Sequence, residues 1–268
     1  MMDTRTLPWA VVTGASSGLG EALARDLAAR QHNIVLTART VDAMERLAGE
    51  LRELHGVAVH VESLDLSVPG SANTLCERLD KAGIQPDVLV NNAAFGIAGP
   101  FIDHDDDRLR AMLQLDIVSV TELTLLLGRR MAQRGHGRIL FVGSLAAFQP
   151  APALAAYGAA KAYLLSFAEA LHIELAPTVS VTILSPGLMD TGFNTASGYS
   201  TPANLRRTIL PPAKVAQIGL NALFEGRSGV VAGRINKIMA FSSRLLSRHF
   251  SAKTTYRMGQ EHTKATNG

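Results

Sequence analysis

Residues 13–20 read T-G-A-S-S-G-L-G, between the apolar run W-A-V-V-T, which ends on Thr13, and the helix-forming stretch E-A-L-A-R-D-L-A that follows. Glycines 14, 18 and 20 are spaced G-x3-G-x-G. A glycine-rich turn from strand to helix meets three physical needs: a sharp exit from the strand, close backbone approach to a pyrophosphate, and tight packing of helix on sheet. The helix N-terminus then points its free N–H groups at the anion. Gly14, Ser16, Ser17, Gly18, Leu19 and Gly20 are therefore candidate phosphate-binding residues. A glycine triplet alone is weak evidence, and its place between a first strand and a first helix strengthens it.

Working outward, short apolar or β-branched runs alternate with longer stretches of helical period. The runs are W-A-V-V-T, N-I-V-L-T-A, V-A-V-H-V, D-V-L-V-N, R-I-L-F-V-G and S-V-T-I-L-S. Helices are expected over about 18–31, 41–55, 69–82, 105–134 and 153–175. Such alternation predicts right-handed crossovers and a parallel sheet covered on both faces: an α/β, doubly wound, Rossmann-like fold. Residues 188–212 break the rhythm with Gly, Pro, Ser and Thr, and a loop that long is usually functional. No internal repeat or linker divides the chain, so one domain over 1–268 is expected, with a helical basic tail.

The end of the second strand refines the ligand. An acidic residue there would accept hydrogen bonds from the adenosine ribose of NAD, but L-T-A-R-T carries Arg39 instead. A guanidinium attracts a 2′-phosphate, so NADP(H) is favoured over NAD(H), the alternative being that Arg39 is a solvated surface charge.

Further on, Y-G-A-A-K places Tyr157 four residues before Lys161, on one face of a helix. Together with T-G-A-S-S-G-L-G, L-D-L at 64–66, N-N-A-A at 91–94, Ser144 thirteen residues before Tyr157, and S-P-G-L-M-D-T at 185–191, the chain resembles the single-domain short-chain dehydrogenase/reductases over about residues 9–232. The resemblance implies Tyr157 as catalytic acid/base and Lys161 as the lysine that lowers its pKa and holds the nicotinamide ribose. It also implies Ser144 as the hydroxyl that orients the substrate carbonyl. Asp65, with Leu66, matches the adenine contact, and Asn92 and Ala93 belong to the cofactor-binding N-N-A-A. Asn91 lies at the strand end facing the cofactor, and Pro186, Gly187 and Thr191 match the segment around the carboxamide. Physical chemistry supports the set: carbonyl reduction needs a proton donor and a second group fixing the carbonyl, and a nearby ammonium stabilises a phenolate.

Two positions depart from the family pattern. Ala94 stands where a glycine is usual, which is tolerable if φ is negative. Asp116 stands where the family typically has a catalytic asparagine, whose region holds a water between Lys161 and solvent. If the backbone carbonyl supplies that contact, little is lost. If Asp116 carries charge near Tyr157, it raises the tyrosine pKa, and a working relay with a pH profile shifted upward is expected.

Composition narrows the classes. The chain of 268 residues is 47% hydrophobic and 18% charged, the balance of a packed globular protein. The single cysteine, Cys76, excludes an internal disulfide and reads as a small core residue. The first residues lack a signal-peptide h-region and no apolar run looks long enough to cross a bilayer, so a cytoplasmic location is expected. Residues 234–268 hold seven Lys or Arg against one Glu, so of the chain's net +3 the tail carries +6 and the body −3. That tail could pack on the body, join an oligomer interface or rest on an anionic membrane, with the first two favoured. The eight histidines show no metal-ligand arrangement, G-S-L-A-A is not a nucleophile elbow, and only the tail speaks for nucleic acid. D-H-D-D-D at 103–107 reads as a helix start.

The substrate is expected to be an apolar carbonyl or alcohol. Phe193, Leu205, Ile209 and Leu210 of the 188–212 loop are its candidate lining, with Phe95, Leu145 and Phe148. The resemblance implies a homodimer or homotetramer built on the helices around 105–134 and 153–175. The competing reading is a cofactor-binding regulatory protein that kept the fold and lost turnover.

Overall fold

The computed structural model describes residues 7–189, 197, 209–243, 247–254 and 256. The strands β1 (Trp9–Thr13), β2 (Asn33–Ala38), β3 (Val59–Ser63), β4 (Pro86–Asn91), β5 (Gly137–Val142), β6 (Val179–Ser185) and β7 (Gly229–Val231) form one sheet in the order β3-β2-β1-β4-β5-β6-β7. All neighbours are parallel. This is the doubly wound Rossmann-like arrangement expected from the alternation, with the order reversing between β1 and β4. The central strands carry continuous buried apolar runs, 10–12, 88–90 and 139–142, because helices cover both faces.

On one face lie α1 (Gly18–Ala29), α2 (Val41–His55) and α7 (Pro212–Phe224), whose Leu23, Leu27, Met44, Leu47, Leu51 and Leu220 join the first core layer. On the other lie α3 (Ser71–Lys81), α5 (Val120–Arg134) and α6 (Ala155–Glu174), which contribute Leu75, Leu79, Leu123, Leu127, Met131 and Leu164. Cys76 sits in this second layer, and burial pushes its thiol up to about 11, so it is an inert core residue.

Three features differ from the sequence expectation. Strand β7 and helix α7 extend the alternation past β6; at three residues β7 is too short to show a period of two. The helix expected over 105–134 is interrupted: α4 (Asp106–Leu113) passes through a π-helical turn, Gln114–Ser119, before α5 begins. Its start is as expected, with Arg108 N–H donating to the Asp105 carboxylate at 2.8 Å and acidic residues in the first turn. Finally, the run Asp106–Arg134, 29 residues long, is apolar enough by length and composition to cross a bilayer, contrary to the expectation that none is. Leu123, Leu127 and Met131 spend that apolarity in the core beneath the sheet.

Candidate active site

At the carboxyl ends of β1 and β4 the chain turns sharply. Gly14 and Gly18 adopt φ of +65° and +59°, a region that favours glycine. The turn is bound to the sheet by Gly14 N–H donating to Thr37 O at 2.7 Å. Thr13 and Asn92 then lock it to β4. The Thr13 hydroxyl donates to Val90 O at 3.1 Å and accepts from the N–H groups of Asn92 and Ala93, both at 3.0 Å. The Asn92 amide donates to Thr13 O at 2.8 Å and Gly14 O at 3.2 Å. Asn92 is thus a strut of the glycine turn as well as part of the cavity wall. Thr13 was missed by sequence reasoning because a threonine at a strand end carries no signal of its own.

Beyond the turn lies a cavity of about 640 Å³. Of the described residues assigned to a cofactor or to catalysis, all line it except Asn91 and Asp116. Thr191 lies outside the described residues, as do Phe193 and Leu205. A dinucleotide fits this donor set. Ser17 does not cap α1 with its side chain, which leaves first-turn N–H groups of residues lining the cavity available to a phosphate. Asp65 is fixed by Ser67, whose N–H and hydroxyl donate to Oδ1 at 2.9 and 2.7 Å. Burial alone would raise its pKa, but these bonds and the nearby Arg39 outweigh it and hold the carboxyl below its usual value. Arg39 stands exposed at the cavity edge.

Asn91 is corrected by the structure. It is buried and donates to the Thr124 hydroxyl at 3.0 Å on α5, away from the cavity. The alternation of side chains along β4 turns it to the opposite face from the ligand. Ala94 does not have positive φ, so the missing glycine costs no strain.

Across the cavity from the glycine turn, β5 ends at Val142 and delivers Ser144, while α6 delivers Tyr157 and Lys161. The Ser144 oxygen accepts from Ala146 N–H at 3.1 Å and is hydrogen-bonded to Tyr157. Lys161, almost wholly buried, donates to Val142 O at 3.4 Å, and its Nζ stands 5.5 Å from the Tyr157 ring centre. The phenol is pushed well above its ordinary value, chiefly by burial and next by the charge of Asp116, with the Ser144 bond opposing both. The expected lowering by Lys161 is therefore not the balance in this site.

Asp116 adds to the effect of burial. It lies in the π turn, fully buried behind Lys161, with Oδ2 3.4 Å from Nζ and Oδ1 accepting from Phe95 N–H at 3.2 Å. It does not line the cavity, and its contacts are with Lys161 and the Phe95 N–H. Burial raises its pKa, against the pull of Lys161 and the Phe95 N–H.

The far end of the cavity is apolar. Phe95, Leu145, Ala151, Pro152, Leu154 and Met189 line it. Phe148 turns instead toward Met239 and Ala240, lining a separate small crevice. Sequence reasoning did not foresee Asn236 and Met239 in the wall, which come from α8 (Arg234–Ser242) in the basic tail.

The sequence pattern of the short chain dehydrogenase family matches residues 8–200. The chain belongs to that family. It is 36% identical over 172 residues to a very-long-chain 3-oxoacyl-CoA reductase of Anas platyrhynchos, covering 62% of this chain and 54% of the relative. It is 32% identical over 186 residues to the 17-beta-hydroxysteroid dehydrogenase type 3 of Homo sapiens, covering 68% and 59%. The chain thus spans little more than half the length of these relatives. Among solved structures, a protein described in work on 7beta-hydroxysteroid dehydrogenase stereoselectivity superposes with a TM-score of 0.84 at 25% identity, over 92% of this chain and 96% of that one. The family's fold is one that binds a nicotinamide cofactor.

Proposed function

We propose that the chain is a one-domain NADP(H)-dependent oxidoreductase that interconverts a carbonyl and an alcohol on an apolar substrate. The observation that carries this reading is the meeting of Ser144, Tyr157 and Lys161 on one wall of a cavity whose other end is the glycine turn. The nicotinamide, when bound, supplies or accepts the hydride. The chain's own residues do the rest. Ser144 and Tyr157 present two hydroxyls to the substrate oxygen, and Tyr157 gives up its proton as negative charge develops there. Burial keeps the phenol protonated but also makes it a weaker acid, so the proton transfer relies on the positive charge behind it to offset that burial. Lys161 supplies positive charge behind the phenol and a donor for a ribose hydroxyl.

Arg39 at the cavity edge favours a 2′-phosphorylated cofactor. The apolar far wall favours a bulky apolar ketone or alcohol, the class that the names of the relatives suggest. Exposed Val118, Leu125 and Ile173 along the π turn, α5 and α6 support a homodimer or homotetramer, and a buried unpaired Cys76 supports a reducing, cytoplasmic setting. One observation favours the regulatory alternative: the buried carboxylate of Asp116 opposes phenolate formation.

The test is NADPH oxidation, with NADH alongside, across a panel of apolar ketones and aldehydes, using Tyr157→Phe and Arg39→Glu. Turnover that prefers NADPH, vanishes in the first variant and loses its preference in the second is the expected result. Turnover undiminished by Tyr157→Phe overturns the mechanism, and tight NADPH binding without turnover moves the regulatory reading forward.

A further inference from the structure

Helix α8 is built inside out. Its buried residues are Asn236 and Ala240, one turn apart, while Ile235, Ile238 and Phe241 are 52%, 68% and 62% exposed. A helix packed by its apolar stripe does the reverse. At about 100° per residue, Ile238 projects directly away from the buried pair, with Ile235 and Phe241 to either side of it. The inward face is held by polarity: the Asn236 amide donates to Ala232 O at 2.6 Å, and its side chain fills the space above Gly187, where an added Cβ would lie 2.3 Å from Nδ2. The orientation is therefore fixed by Asn236, and the large apolar groups are left outward.

Charge identifies what covers them. Arg234 and Lys237 are exposed on the same helix, and the sequence carries no acidic residue between 234 and 260. A second copy of the chain meeting this face about a two-fold axis would set Arg234 and Lys237 of one copy against those of the other, like charge against like. An anionic surface reverses that sign. We propose that the outward face of α8 docks on a bilayer bearing anionic lipids, with Ile235, Ile238 and Phe241 entering the acyl boundary and Arg234 and Lys237 pairing with lipid phosphates. Met239 of the same helix lines the cavity, so docking sets the cavity's apolar end beside the bilayer. This last step rests on the apolar-substrate reading above; the docking itself does not.

The experiment is flotation of the full chain with vesicles of phosphatidylcholine alone and of phosphatidylcholine with phosphatidylglycerol, at low and high salt. The protein is expected to float with the anionic vesicles, far less with the neutral ones, and to be released by salt. Two double variants, Ile238→Ser with Phe241→Ser and Arg234→Glu with Lys237→Glu, are each expected to cut binding about tenfold. Unchanged thermal melts by circular dichroism show that these exposed positions leave the fold intact. Failure of the parent to float on anionic vesicles overturns the proposal, as does full binding by the Ile238/Phe241 variant, which would put the lipid contact elsewhere. A dimer seen by light scattering that this variant dissolves, with no vesicle binding, assigns the face to a second copy instead. Flotation reads no turnover, so its failure is separable from failure of the enzymatic reading.

Discussion

Lys161 Nζ lies 3.4 Å from Asp116 Oδ2, with both side chains sealed from solvent. The lysine that faces Tyr157 from one side is thus held by a carboxylate on the other, and the charge available to the tyrosine is what the pair leaves over. Asp116→Asn removes the carboxylate's upward push on the phenol. For alcohol oxidation, where Tyr157 must accept a proton, the rising limb of the pH profile is expected to move down by on the order of one unit. Rate against pH for parent and variant checks it; superimposable profiles would show that Asp116 does not act on Tyr157.

Lys161→Met isolates the other half of the pair. It leaves Asp116 buried with only the Phe95 N–H in support, and uncompensated buried charge typically costs about 3–5 kcal/mol. The cost depends on pH with a definite sign. Asp116 has its folded pKa raised above the ordinary 3.8, so the folded state holds the proton more tightly. Stability is then present at low pH and lost as pH rises from the unfolded value through the folded one. Urea unfolding of the variant is expected to show the larger deficit at about pH 8 and a smaller one at about pH 5.

How much of this was legible in the sequence varies with the kind of signal. The crossovers and the glycine turn were readable because strand and helix periods leave repeating marks, as in N-I-V-L-T-A against 41–55. Tyr157 and Lys161 were readable because helical spacing fixes their shared face. Asp116 was visible as an oddity, but its distance from the cavity was not: the π turn shifts the register by an amount that no periodicity records. Asn91 was misplaced by one step of strand alternation. The orientation of α8 was hidden because it is set by one buried amide, Asn236, against the pull of the apolar residues.

Thr13 offers a test of the strut beneath the turn. Its hydroxyl serves Val90 O and two backbone N–H groups in a buried setting. Thr13→Val keeps the shape and strips all three, and a buried group left unpaired costs about 1–3 kcal/mol. Denaturant unfolding is expected to show a loss of about that size. NADPH affinity should fall with it, because Asn92 and Ala93 line the cavity through the same contacts.

Gly20 separates space from backbone freedom. It lies in the first turn of α1 without positive φ, so an alanine there meets no conformational penalty and would gain about 1 kcal/mol of helix propensity. Contact decides against it: the added Cβ would lie 2.1 Å from Gly14 O and 2.6 Å from Asn92 Nδ2. A backbone carbonyl cannot swing aside as a flexible side chain can, so the phosphate turn itself must open. Gly20→Ala is expected to weaken NADPH binding by about tenfold or more while the chain still folds, the turn yielding before the sheet does. Gly49→Ala is the control. That glycine sits on the exposed face of α2 with nothing within 4 Å, so alanine should stabilise the protein by about 1 kcal/mol and leave affinity unchanged. Fluorescence titration with NADPH and thermal unfolding of both variants resolve the two effects; equal affinity in both would show that the turn tolerates opening and that the close approach at Gly20 is packing alone.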